Sequence, residues 1–101
     1  MSDIGLTSVE VDLMMAVFSR YPDIREATLF GSRAKGTHRP QSDVDLALVG
    51  VADDLVAEAV AEALEALPMP YRFDVKAFDV IRYQPLLDHI QRVGVCIYRR
   101  D

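Results

Sequence analysis

The sequence LFGSRAKG at residues 29–36, followed by SDVDL at residues 42–46, is the most informative part of this chain. An apolar run ends at a Gly-Ser pair, a short basic turn follows, and two carboxylates separated by one apolar residue open the next apolar run. On a strand, residues two apart point to the same face and lie roughly 6.5 Å apart. Asp43 and Asp45 are therefore predicted to point together, with the apolar residues beside them directed into a core.

Two convergent carboxylates suit Mg²⁺, which binds oxygen ligands and usually completes its coordination with substrate phosphates. Upstream, Gly31 allows the backbone to approach a ligand, and Ser32 offers a hydroxyl and an amide to a phosphate oxygen. The residues predicted to contact a nucleotide are Gly31, Ser32, Arg33, Gly36 and Arg39. A phosphate site beside a carboxylate pair predicts metal-dependent chemistry on a nucleoside triphosphate.

Each of these features also has a structural explanation. An Asp-x-Asp pair can be a turn residue followed by a solvent-facing strand residue. Gly31 can serve a tight turn and Ser32 can cap a helix, and both roles are compatible with phosphate binding. Arg33 and Lys35 can equally form a solvated basic turn. The placement of the acidic pair just after the Gly-Ser elbow favours the functional interpretation.

These residues resemble the nucleotidyltransferase signature of the DNA polymerase beta superfamily, which is Gly-Ser, a further glycine in the turn, and Asp-x-Asp on the next strand. The turn and the acidic strand are most similar to those of the minimal nucleotidyltransferases, many of which are antitoxins paired with a HEPN-domain ribonuclease toxin. The specific match covers about residues 29–49. The resemblance implies a third carboxylate on a neighbouring strand, which is Asp74 here. The alternative is that Asp74 pairs with Arg72 or Lys76 on a solvated sheet face.

The resemblance implies transfer of AMP from ATP to a hydroxyl, with Asp43, Asp45 and Asp74 as catalytic residues and ligands of two Mg²⁺ ions. Ser32 and the amides around Gly31 would hold the terminal phosphates. The implied acceptor is a tyrosine of a HEPN toxin, so that the chain is the antitoxin of a type VII-like toxin–antitoxin pair. Two alternatives stay open: an antitoxin that neutralises by binding alone, and a nucleotidyltransferase that acts on a small molecule such as an antibiotic.

The order of elements predicts a single α+β domain over residues 1–101, with a mixed sheet of three or four strands and helices mainly on one face. The resemblance implies the nucleotidyltransferase, DNA polymerase beta-like fold. Helices are predicted from Thr7 or Ser8 to about residue 21, at 52–67 and at 85–92, with a helical turn at 32–36. Strands are predicted at 26–30, 43–49, 71–78 and 93–98.

Composition limits the partners. The formal net charge is −5 without a long basic block, which argues against a long nucleic acid as a partner. The single cysteine, Cys96, fits a reducing compartment, and the sequence shows neither a signal peptide nor an apolar stretch long enough for a membrane. We therefore expect a cytoplasmic protein. His38 and His89 have no metal-ligand spacing and are predicted to be surface or satisfied histidines.

Overall fold

The computed structural model describes residues 5–36 and 43–100, which form a four-stranded sheet with helices on both of its faces. Its strands are β1 (Glu26–Phe30), β2 (Val44–Val49), β3 (Phe73–Ala77) and β4 (Val95–Arg99). The order across the sheet is β3-β2-β1-β4. Strand β1 is antiparallel to both β2 and β4, whereas β2 and β3 are parallel. The predicted mixed sheet is therefore confirmed, with four strands.

The helices are α1 (Ser8–Ser19), α2 (Ser32–Lys35), α3 (Asp54–Glu65) and α4 (Gln84–Val93), and a 3₁₀ turn at Phe78–Val80 follows β3. Helix α1 begins at a capping box. The Thr7 hydroxyl accepts a hydrogen bond from the Glu10 amide at 3.1 Å, and the Glu10 carboxylate accepts one from the Thr7 amide at 2.9 Å. This reciprocal pair satisfies two amides that the helix itself leaves unbonded.

Several helices and strands begin or end at residues other than those predicted, for local structural reasons. Helix α3 starts at Asp54 and not at residue 52, because the Asp53 carboxylate accepts hydrogen bonds from two amides of the first turn. Strand β3 is shorter than the predicted 71–78, since the 3₁₀ turn begins at residue 78. Strand β4 starts at residue 95 because α4 extends to Val93, where the Gly94 amide donates to the Ile90 carbonyl at 2.8 Å.

The main core lies between one face of the sheet and helices α1 and α3. Alternate residues of β1 and β2 point into it, including Leu29 and Leu46, which are fully buried. Phe73 and Ala77 of β3 belong to the same core. Because strand residues alternate between faces, Asp45 and Asp74 lie on the opposite face.

A smaller core covers part of that opposite face. It contains Phe30 of β1, Ala47 of β2 and Ile90 of α4. Helix α4 therefore packs on the same side of the sheet as Asp45 and Asp74. No helix in the described ranges is both long and apolar enough to cross a membrane.

Candidate active site

Asp45 and Asp74 are neighbours across the sheet. The parallel pairing of β2 with β3 sets Asp45 opposite Asp74, and both residues point away from the main core. Neighbouring strands lie about 4.8 Å apart, so the two carboxyl groups emerge side by side. Asp43 is exposed and lies two residues before Asp45, immediately ahead of β2. The structure thus places Asp45 and Asp74 side by side on one sheet face, with Asp43 near enough to repel the Asp45 carboxylate.

Burial and the neighbouring carboxylates change the pKa of Asp45. Asp45 is half-buried, and burial raises the pKa of its carboxyl from 3.8 to about 6. Repulsion from Asp74 and then from Asp43 acts in the same direction, whereas Lys76 opposes it. A cation at this position would relieve the repulsion between the carboxylates.

Lys76 is the one basic side chain that the structure pairs with this acidic group among the residues it describes. Its Nζ lies 3.6 Å from Oδ1 of Asp74, and both side chains are about half exposed. This is the ion pair foreseen as the alternative explanation of Asp74. An ion pair at this exposure contributes little free energy, so it does not prevent Asp74 from binding a cation.

Gly31 has a steric relationship with Asp45. Its backbone angles, φ +77° and ψ −154°, lie in a region that is essentially restricted to glycine. A Cβ atom at this position would collide with Oδ2 of Asp45. The sequence suggested that Gly31 makes room for a ligand; the structure shows that it also makes room for the carboxylate of the Asp-x-Asp pair.

His89 reaches the same turn from α4. The Gly31 amide donates a hydrogen bond to His89 Nε2 at 3.3 Å, and the half-buried imidazole packs edge-on against the Phe30 ring. His89 is thus a satisfied histidine, as predicted, but its contact with the signature turn was missed. The sequence gives no spacing signal for a contact between residues so far apart. One amide that was expected to face phosphate is therefore bonded within the protein.

Arg33 points into the protein. It is only 1% exposed, its guanidinium carbon lies 4.7 Å from the centroid of the Tyr71 ring, and Nη1 donates to the Gly5 carbonyl at 3.2 Å. Burial raises the pKa of Tyr71, and so does the hydrogen bond of its hydroxyl to Glu10. This environment favours a structural role for Arg33, and nucleotide contact by it stays a prediction.

The remaining nucleotide candidates lie in or beyond α2. Ser32 is the first residue of α2, and Gly36 ends it in a left-handed conformation with φ +77°. The Gly36 amide donates to the Arg33 carbonyl at 3.2 Å, and the left-handed backbone at the helix end explains a glycine at this position. Arg39 lies outside the described residues, as do Ser42 and His38.

The three aspartates can be assessed as ligands for a divalent cation. Asp43, Asp45 and Asp74 offer carboxylate oxygens, the ligand type that Mg²⁺ prefers, and burial together with repulsion from the other two carboxylates raises the pKa of Asp45. Within residues 5–36 and 43–100, however, no three acidic, histidine or cysteine side chains are drawn together closely enough to hold a metal. The residues therefore fit Mg²⁺ in the chemistry of their ligands, whereas the described side chains are not drawn together as a metal site.

A sequence model of the polymerase beta nucleotidyltransferase family matches residues 14–101, and the chain belongs to this family. The class of protein suggested by the Gly-Ser turn and the Asp-x-Asp strand is thus confirmed. A comparison with curated proteins finds no match.

Among solved structures, the chain resembles components of toxin–antitoxin complexes. It matches a toxin–antitoxin structure with AMP-PNP at a TM-score of 0.74 and 20% identity, covering 90% of this chain and 74% of the other. A toxin–antitoxin structure named MntA-HepT matches at 0.70 and 16%, covering 93% and 74%. The tri-AMPylated Shewanella oneidensis HEPN toxin in complex with an MNT antitoxin gives 0.71 and 16%, covering 94% and 74%. At these identities the likeness establishes the fold, which confirms the predicted α+β fold class.

Proposed function

We propose that this chain is a nucleotidyltransferase that moves AMP from ATP to a hydroxyl group of a partner protein, with Asp43, Asp45 and Asp74 as its catalytic residues. The observation that carries the proposal is the pairing of Asp45 with Asp74 across β2 and β3, against the Gly31 turn. Family membership supports the reaction class. The whole chain acts as one catalytic domain.

The three carboxylates would hold Mg²⁺, which would neutralise charge on the triphosphate and make the attacking hydroxyl more acidic. Asp45 is fixed by strand β2 and by its contact with Gly31, and so gives the site a rigid reference point. Asp74 is more exposed and lies where an incoming hydroxyl can reach it, which suits it to accept the proton. The hydroxyl oxygen bonds to the α-phosphorus, and pyrophosphate leaves with the bridging oxygen.

Substrate phosphates are bound by Ser32, the first residue of α2, together with Arg39 and the backbone near Gly36. Ser32 follows Gly31, the residue whose backbone passes close to the Asp45 carboxylate. Lys76 lies on the same sheet face beside Asp74, where it limits the negative charge until the cation and nucleotide bind. ATP is the proposed donor, and a related fold was solved with AMP-PNP.

The proposed acceptor is a HEPN-type toxin, which makes this chain an antitoxin acting by modification. Support comes from the structural likeness to the complex of a tri-AMPylated HEPN toxin with an MNT antitoxin. The net charge of −5 also disfavours a nucleic acid as the acceptor. A tyrosine is the expected acceptor residue in the toxin.

A second candidate is an antitoxin that neutralises its toxin by binding alone. The observation that favours it is the ion pair between Lys76 and Asp74, since a purely structural sheet face would place a lysine beside an aspartate in this way. In that case the acidic residues would be dispensable for neutralisation.

Both candidates can be tested by co-expressing the chain with a HEPN-type toxin from the same genome and measuring toxin activity and toxin mass together. Modification predicts that the wild-type chain silences the toxin and adds AMP, whereas Asp74→Asn binds the toxin without modifying or silencing it. Asp12→Asn, an exposed change on α1, serves as the control and should behave as wild type. A toxin that is unmodified yet silenced by both wild type and Asp74→Asn would support the binding antitoxin instead.

A further inference from the structure

We infer that His89 is a positioning residue for the active site: its imidazole holds the Gly31 peptide, and through that peptide it keeps the Asp45 carboxylate in place. The catalytic consequence of this contact rests on the proposed function above. The contact itself rests on geometry alone and can be tested without any activity.

A hydrogen bond connects His89 of helix α4 with Gly31 in the turn after β1. The Gly31 amide donates to His89 Nε2 at 3.3 Å, in a partly buried setting, and it joins helix α4 to the turn after β1. Because Nε2 accepts this hydrogen bond, the proton of the neutral imidazole must lie on Nδ1. The contact therefore requires an acceptor at this point in space, and an apolar side chain of the same size would not replace it.

The imidazole of His89 is held in place by neighbouring side chains. Its ring lies 6.1 Å from the Phe30 ring, centroid to centroid, at an angle of 83°. The next residue along α4, Ile90, is buried against Phe30 and Ala47 in the smaller core. The packing of α4 thus fixes the direction in which His89 points.

The Gly31 backbone lies close to the side chain of Asp45. It passes so close that a Cβ atom at residue 31 would meet Oδ2 of Asp45. Glycine adopts this conformation without strain but can adopt many others, so contacts with neighbouring residues are what enforce it. The hydrogen bond from His89 is one of these enforcing contacts. If it is lost, the Gly31 peptide can shift, and the Asp45 carboxylate moves or gains freedom with it.

A pair of substitutions separates the acceptor from the packing. His89→Leu keeps apolar contact with Phe30 but removes the acceptor, whereas His89→Gln keeps an acceptor oxygen on a side chain of similar reach. We expect His89→Leu to lower kcat for AMP transfer by roughly tenfold, as is typical when a residue supporting a metal ligand is lost, with little change in the KM for the partner protein. His89→Gln should recover most of this loss. Gln91→Leu, an exposed change on the same helix, is the control and should leave kcat unchanged.

The amide resonance of Gly31 provides the test that needs no activity. In His89→Leu its proton should move upfield and exchange faster with solvent, while in His89→Gln and Gln91→Leu it should stay close to wild type. An unchanged Gly31 amide in His89→Leu would overturn the inference, whatever the enzyme does. If the amide responds as expected but the wild-type chain transfers no AMP, the contact stands and the proposed function fails. Equal kcat in His89→Leu and wild type, with a changed amide, would reduce His89 to a structural residue and also overturn the inference.

Discussion

Asp45 and Asp74 face each other across the parallel pairing of β2 with β3, although helix α3 separates them along the chain. The acidic pair therefore depends on how α3 returns the chain to the sheet. Phe73 and Ala77 are buried in the core beneath α3. Because strand residues alternate, burial of these apolar residues directs Asp74 to the face that Asp45 occupies.

The first prediction concerns the charge on Asp45. Its pKa is raised from 3.8 to about 6 in the folded protein, so between these pH values the folded state holds the proton more tightly than the unfolded chain. The free energy of unfolding should therefore fall as the pH rises from about 4 to 6. Asp45→Asn removes this loss, and it should be more stable than wild type at pH 7.5 by about 1 kcal/mol after solvent screening is allowed for.

Urea denaturation at several pH values measures this effect. The advantage of Asp45→Asn should shrink towards zero below pH 4, where the wild-type carboxyl is protonated in both states. Asp12→Asn, on the exposed side of α1, should show no comparable pH dependence. A wild-type protein that is the more stable of the two at pH 7.5 would show that burial and the acidic neighbours do not raise the pKa of Asp45 in this way.

The second prediction compares two glycines with the same φ of +77°. A Cβ at Gly36 would meet no atom of the described residues within 4 Å, so Gly36→Ala should cost only the backbone strain of about 1–2 kcal/mol. Gly31→Ala should cost more and should abolish AMP transfer, because its methyl group must displace the Asp45 carboxylate. Denaturation midpoints and transfer rates of the two variants check both statements.

A combined variant isolates the steric part of this cost. In an Asp45→Ala background the carboxylate is absent, and Gly31→Ala should destabilise the protein less than it does in wild type. If the two changes are simply additive, the collision between residue 31 and Asp45 is not the reason for the glycine.

The third prediction concerns the Tyr71 ring beneath Arg33. Tyr71→Phe loses only the 3.4 Å hydrogen bond to Glu10 and should cost about 0.5 kcal/mol of stability. Tyr71→Leu also loses the aromatic face under the buried guanidinium and should cost roughly 1–2 kcal/mol more. Tyr83 is 69% exposed, so Tyr83→Leu is the control and should change the stability little. Equal stabilities for Tyr71→Phe and Tyr71→Leu would show that stacking of the Arg33 guanidinium on the aromatic ring does not stabilise the protein.

The sequence predicted those parts of the molecule that depend on interactions between residues close together along the chain. The start of the first helix at Thr7 or Ser8 and the strand at residues 26–30 follow from short-range patterns, and the structure confirms both. Family membership likewise follows from the closely spaced Gly-Ser and Asp-x-Asp residues. These features need only neighbouring residues to be recognised.

The sequence could not predict features that depend on distant packing. His89 reaches Gly31 only because α4 folds onto the Phe30 face of the sheet. Arg33 looked like a solvent or nucleotide contact, since charged residues are rarely fully buried, yet Tyr71 and Gly5 provide it with an internal site. Such contacts join segments whose separation along the chain carries no signal.

The most direct test of the account is the intact mass of the proposed partner, a purified HEPN-type toxin, after incubation with this chain, ATP and Mg²⁺. The wild-type chain should add the mass of one or more AMP groups on tyrosine. The double variant Asp43→Asn and Asp45→Asn keeps the side-chain shapes but loses their charge, so it should bind the partner and leave its mass unchanged. A partner that gains no mass with the wild-type chain, or gains it at the same rate with the double variant, would contradict the proposed active site.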